Sequence, residues 1–148
     1  MDLEAYIPYQ FARLSAYLSK ELAEDYARNF GLAIAEWRVI AVLAFLPGAT
    51  AAEIAAFSSL DAVAVHRAVS RLIQAGLLNR QLDPNDARRK PLEISSEGWK
   101  LYENEVPVAL TLERRILSCL EPADARVFRR SMMTIYRKLI GEPRRRKE

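Results

Sequence analysis

The stretch DAVAVHRAVSRLIQAGLLNRQLDPNDARRKPLEISSEG, residues 61–98, decides the fold. Its first part reads as a helix. Asp61 is a good N-cap, because a carboxylate can accept from the free N–H groups of a first turn. Val65, Ala68, Val69, Leu72 and Ile73 recur at i, i+3, i+4, i+7 and i+8, the pattern of one core-facing stripe. Gly76 suits the left-handed conformation that ends a helix, so the spacing predicts a helix over 62–75. Strand-forming residues follow at 77–82 and 91–94. Between them Asp83, Pro84 and Asn85 supply a turn. Arg88, Arg89 and Lys90 add charge that a turn does not need.

Working outward, Thr50 and Glu53 form a capping box that opens a short helix, AAEIAAF. The tripeptide SSL separates it from the helix at 62–75. Before it, AEWRVIAVLAFL is apolar nearly all round, which predicts a buried helix stopped by Pro47-Gly48. Further back, Ile7, Phe11, Leu14, Leu18 and Leu22 mark one stripe of a long first helix. Pro8 suits its first turn and Gly31 its end. On the other side, Ser95 caps a second long helix, SEGWKLYENEVPVALTLERRILSCL, which Pro107 should bend or break near residues 103–107. A last helix restarts at Glu121-Pro122 with the stripe Ala125, Phe128, Met132, Ile135 and Leu139.

This order predicts a mainly α fold with a small β-hairpin wing. A winged helix-turn-helix spans about residues 33–95. The helices at about 3–30 and 96–141 carry more apolar surface than a winged helix can cover, so they are expected to pair with a second copy as a dimerisation lobe. All of this forms one domain over 1–142, followed by a basic tail at 143–148.

Composition narrows the class. With 148 residues and 51% hydrophobic content the chain can bury a core and is not intrinsically disordered. The longest apolar run, VIAVLAFL, is too short to span a bilayer. No basic segment precedes an apolar one at the N-terminus, so no secretion signal is read. The single cysteine, Cys119, excludes an intramolecular disulfide and fits a reducing cytoplasm. The net charge of +3 is unevenly placed: residues 1–60 carry more acid than base, and the excess base sits in 61–90 and in the tail PRRRKE. That is a local footprint for a polyanion.

The helix at 62–75 carries the recognition chemistry. Opposite its apolar stripe lie Val63, Arg67, Ser70 and Gln74, flanked by His66 and Arg71, with no acid between Ala62 and Gln74. Arg67 can make two hydrogen bonds to a guanine edge in the major groove, and His66 and Ser70 can bond to bases or phosphates. A wing beside such a helix lies over the neighbouring minor groove, whose negative potential attracts an inserted arginine. Asp86 could hold Arg88 in one orientation for that purpose, while Arg89 and Lys90 neutralise phosphates. Catalysis and cofactors find no support. There is no phosphate-binding glycine loop, no nucleophile–base pair, and one His with one Cys is too few for a zinc site.

The wing LDPNDARRKPLEISSEG resembles that of the MarR family of bacterial regulators, which typically reads Asp-Pro-x-Asp-x-Arg, then a strand and Leu-Thr-x-x-Gly. AVHRAVSRLIQAGLL is similar to the family's recognition helix, and AEWRVIAVLAFLPGATAAEIA to the two helices before it. The likeness runs over about residues 8–140. It implies a homodimeric, DNA-binding allosteric repressor on a palindromic site, often released by small aromatic compounds. By position it implies that Arg88 is the minor-groove arginine with Asp86 its partner, and that Val63, His66 and Arg67 face bases.

A flat aromatic acid, or its thioester, would suit Tyr9, Arg13 and Tyr17 on the first helix with Trp37 and Arg38 on the second, since arginine pairs with a carboxylate bidentately. Two rival readings stay open. One is a winged helix used for protein contacts alone. The other is a redox-responsive regulator using Cys119. The family's redox branch keeps its sensing cysteine in the first helix, where this chain has none, so Cys119 is expected to be a small buried hydrophobe.

Overall fold

The computed structural model describes residues 2–82 and 89–141. The elements run α1 (Ile7–Phe30), α2 (Ile34–Phe45), α3 (Ala51–Ser58), α4 (Ala62–Gln74), β1 (Leu78–Arg80), β2 (Leu92–Ile94), α5 (Ser96–Leu117) and α6 (Pro122–Leu139). The fold is mostly helical with one small antiparallel hairpin, as the patterning predicts. Two compact units divide at Glu105 and Val106.

The first unit holds the core. Val39, Ile40 and Leu43 of α2, Ile54 of α3, and Val65, Val69 and Leu72 of α4 are sealed from solvent together with Leu78, Leu92 and Ile94 of the hairpin. Local chemistry sets the ends of these helices. Thr50 Oγ1 accepts from the Glu53 N–H at 3.3 Å while the Glu53 carboxylate accepts from the Thr50 N–H at 2.7 Å, completing the capping box. The Asp61 carboxylate accepts from the Ala64 N–H at 2.7 Å. Gly76 follows α4 at φ 73°, the left-handed turn an L side chain would strain.

In the hairpin Leu78 pairs with Ile94, Asn79 with Glu93 and Arg80 with Leu92. The strands are shorter than the sequence suggests. Pro91 has no N–H to donate, so the ladder continues past Arg80 by a single bond from the Gln81 N–H to the Pro91 carbonyl at 2.8 Å. The Leu92 N–H instead donates to the Ala49 carbonyl at 3.0 Å, stitching β2 to the segment before α3.

Ser95 caps α5 as expected, accepting from the Gly98 N–H at 3.0 Å, and its hydroxyl also donates to the Gly76 carbonyl at 2.7 Å. This clamps the start of α5 onto the end of α4. The clamp requires a glycine at 98: a Cβ there would overlap the Leu77 carbonyl and press on the Ile94 side chain at 2.8 Å. Gly98→Ala is therefore expected to cost about 1–3 kcal/mol by overpacking, because the obstruction is backbone and cannot swing aside. Urea titration of the variant against the parent checks this. An unchanged midpoint would mean the clamp yields without cost.

Two expectations need adjustment. Pro107 does not break the second long helix, since α5 runs unbroken through it. The missing N–H there leaves one carbonyl of the preceding turn without its helical donor, and the unit boundary falls two residues earlier. The helix also ends at Leu117, before Cys119 rather than after it. In the second unit α6 has no buried residue. Phe128, Met132, Ile135 and Leu139, its apolar stripe, all stand in solvent. In the first unit Ile7, Phe11 and Leu14 of α1 do the same. Among the described residues no helix is long and apolar enough to cross a membrane.

Candidate nucleic-acid interface

Helix α4 is two-faced, as its periodicity predicts. Val65, Ala68, Val69 and Leu72 are buried, whereas Val63, His66, Arg67, Ser70 and Gln74 are exposed. Val63 is 60% exposed. A β-branched apolar residue so open at the start of a helix is poorly explained by packing. It suits contact with a thymine methyl in the major groove. Asp61 caps the helix, so its first turn is ordered before any ligand arrives.

Arg71 has a second task that patterning did not reveal. Its guanidinium lies 3.5 Å from the carboxylate of Glu36, whose side chain is 8% exposed. Glu36 also accepts from the Ala33 N–H at 2.7 Å, closing the first turn of α2. A sheltered carboxylate left without a partner is costly. Arg71 therefore braces α4 against α2, and that ion pair limits how far it can reach. The sequence signal was Glu36 at the third position of α2, but nothing local says which arginine meets it.

Arg89 is likewise engaged. It lies 3.6 Å from the Glu53 carboxylate and donates to the Gly48 carbonyl at 3.4 Å. It ties the base of the wing to the turn before α3. Lys90 and, on β1, Arg80 are exposed. Glu93 of β2 accepts from the Gln81 side chain beside them. The wing tip, residues 83–88, lies outside the described residues, and with it the roles read for Asp86 and Arg88.

The residues read as an effector strip divide. On α1, Tyr9, Arg13 and Tyr17 are exposed, and the Arg13 guanidinium sits 6.0 Å from the Tyr9 ring centre, within cation–π range. Arg38 of α2 reaches across to α1 and donates to Ser19 Oγ at 3.0 Å. Trp37 is only 9% exposed. It stacks between Tyr26 at 4.9 Å and Tyr102 at 5.8 Å, and so belongs to the packing of α1, α2 and α5.

Beside this stack lies a group no sequence pattern announced. Glu105 is fully buried, and among the described residues neither carboxylate oxygen nor the nearby Tyr26 hydroxyl has a hydrogen-bond partner. Burial pushes the Glu105 carboxyl up to about 7. Burial also raises the Tyr26 phenol, with a further push from the Glu105 charge.

Cys119 corrects an expectation. It is exposed, in the turn after α5, with its thiol donating to the Arg115 carbonyl at 3.4 Å. With no apolar site to lose, Cys119→Ser should leave the unfolding midpoint unchanged within about 0.5 kcal/mol and keep DNA binding. DNA release by peroxide in the parent but not in the variant would instead make Cys119 a sensor.

A capped short helix, a tight turn, a second capped helix with an acid-free outer face, and a hairpin wing define a winged helix-turn-helix regulator that binds DNA. Residues 30–89 match the MarR family model. It is 25% identical over 129 residues to an HTH-type transcriptional repressor of Mycobacterium tuberculosis, Rv2887, covering 87% of this chain and 92% of the relative. To the uncharacterized HTH-type regulator YwoH of Bacillus subtilis it is 28% identical over 114 residues, covering 77% and 82%. A MarR/EmrR family regulator from Acinetobacter sp. ADP1 shares the fold with a TM-score of 0.82 at 22% identity, covering 96% of this chain and all of that one. MepR of S. aureus, solved as a complex with DNA, superposes with a TM-score of 0.77 at 19% identity, covering 90% and 98%.

Proposed function

We infer that the protein is a homodimeric transcriptional repressor acting in the cytoplasm. It reads a palindromic operator with α4 in the major groove and the wing over the adjacent minor groove. One observation carries this reading: α4 buries Val65, Ala68, Val69 and Leu72 on one face and exposes on the other an acid-free surface bearing Val63, His66, Arg67 and Ser70. A helix kept only for solubility would mix acids with its bases. Repression is supported by the name of the mycobacterial relative, and DNA as partner by the MepR complex. Val63, His66, Arg67 and Ser70 face bases. Lys90 faces a phosphate, Arg71 and Arg89 do so to the extent that their ion pairs allow, and Arg88, oriented by Asp86, enters the minor groove.

Dimerisation is supported by the open apolar stripes of α1 and α6, since surplus apolar surface is commonly buried by closed twofold pairing. An aromatic acid or its thioester is the effector this reading favours, held by the open strip of Tyr9, Arg13 and Tyr17 with Arg38 at hand. Trp37, packed between Tyr26 and Tyr102, is not part of that open strip. The test is selection of genomic fragments by the purified protein, followed by titration of aromatic acids into the selected complex and sedimentation of the free protein. Enrichment of an inverted repeat, release by one acid and a dimeric mass are expected. A stable monomer, or no enriched sequence, would defeat the reading.

A further inference from the structure

In the second unit, α6 presents two opposed faces. Phe128, Met132, Ile135 and Leu139 form the apolar stripe. Arg126, Arg130 and Arg137 lie about half a turn round from it, because two residues advance a helix by about 200°. The arginine face is not flat. With Arg129 and the end of α5 it lines a groove of about 580 Å³ whose lining is mostly apolar, supplied by Leu117, by Met133 and by Ala125 from the edge of the apolar stripe. Glu113 holds Arg129 at 2.9 Å. Arg126, Arg130 and Arg137 make no ion pair among the described residues, and their side chains are exposed.

Three like charges along one helix face repel one another, and nothing in the packing requires them, since α6 has no buried residue. Arginine forks offer paired N–H donors matched to phosphate oxygens. The lining offers an apolar seat, and the volume falls within the about 300–1,000 Å³ common for small-molecule sites. We propose that this groove binds a small amphipathic dianion, an organic phosphate carrying an apolar group, at a site distinct from the DNA-reading surface. The phosphate sits among Arg126, Arg130 and Arg137, and the apolar group lies over Leu117 and Met133. None of these residues is on α4, in the wing or in the strip on α1, so the site stands whether or not the operator reading does.

The probe is 1-naphthyl phosphate, titrated into the full chain by calorimetry, with inorganic phosphate and 1-naphthol as compounds carrying one feature each. Saturable binding, one per chain, is expected, at least about tenfold tighter than either control. The double variant Arg130→Ala, Arg137→Ala should weaken it by at least about tenfold, and Arg130→Lys with Arg137→Lys should weaken it less, because the charge survives without the fork. The replaced side chains are exposed, so circular dichroism should stay unchanged; Arg130→Gln alone supplies the same comparison with less change. Absence of saturation at millimolar probe would overturn the proposal, as would equal affinity in the double variant. A changed sedimenting mass in the double variant would overturn it too, because the groove would then be filled by a second copy of the chain.

Discussion

Arg67→Ala is expected to weaken operator binding by about 1–3 kcal/mol in each half-site, and to relax base preference at the position it reads. Two half-sites in a dimer double that free energy. Non-specific binding and the salt dependence set by phosphate contacts should change little, because a base-reading arginine neutralises no phosphate. Arg67 is exposed on the middle of α4, with its neighbours Val65, Ala68 and Val69 locked in the core. The loss is therefore one of contact and not of fold. Arg71→Ala gives the contrast: it strips the cation from the sheltered Glu36 carboxylate, so it should lower stability as well as binding. Arg88→Ala, argued from the wing motif alone, should weaken operator binding strongly. Titrations of operator and scrambled duplex at several salt concentrations separate these outcomes. Equal loss on both duplexes for Arg67→Ala would place that side chain on the phosphates and undo the major-groove assignment.

Glu105→Gln should stabilise the protein above neutral pH and flatten its stability profile. The sign follows from linkage. The Glu105 carboxyl titrates at about 7 in the folded chain against an ordinary 4.5. Between those values the folded state holds a proton that the unfolded state has released, so stability falls as pH rises through that window. Below it both states are protonated and no cost arises. Above it the folded chain carries a buried, unpartnered carboxylate at a cost of about 3 kcal/mol. Glutamine stays neutral throughout, so the variant should lack the slope. At pH 8 it should gain up to that amount, and at pH 4.5 it should match the parent. Urea titrations at equal protomer concentration across this range measure it. A parent whose stability is flat from pH 5 to 8 would show that a partner reaches Glu105 in solution. The same titration bears on Tyr26 of the aromatic stack, whose phenol the Glu105 charge pushes up.

Much of this molecule is decided by residues near one another in the chain. The capping box of Thr50 and Glu53, the Asp61 and Ser95 caps, the left-handed turns at Gly31 and Gly76, and the two-faced period of α4 depend on neighbours within a turn or two. Their reading from sequence agrees with the structure because helix ends and helix faces are local hydrogen-bonding and packing problems. The acid-free face of α4 was legible for the same reason.

What tertiary structure alone decided are meetings between distant residues. Arg71 and Glu36 are 35 positions apart, and Arg89 and Glu53 are 36. Local spacing gives no hint that two arginines read as DNA contacts would also brace the fold. Trp37, read as part of a ligand strip, packs between tyrosines of two other helices, because an aromatic ring on a helix serves whichever neighbour closes over it. Cys119 fell beyond the end of α5, in solvent, since the stopping point of a helix varies by a turn where no strong cap fixes it. Glu105 lies within a charged, helix-forming run that reads as solvated surface. Only folding takes its carboxylate out of water, and burial is a property of the assembled chain rather than of any segment in it.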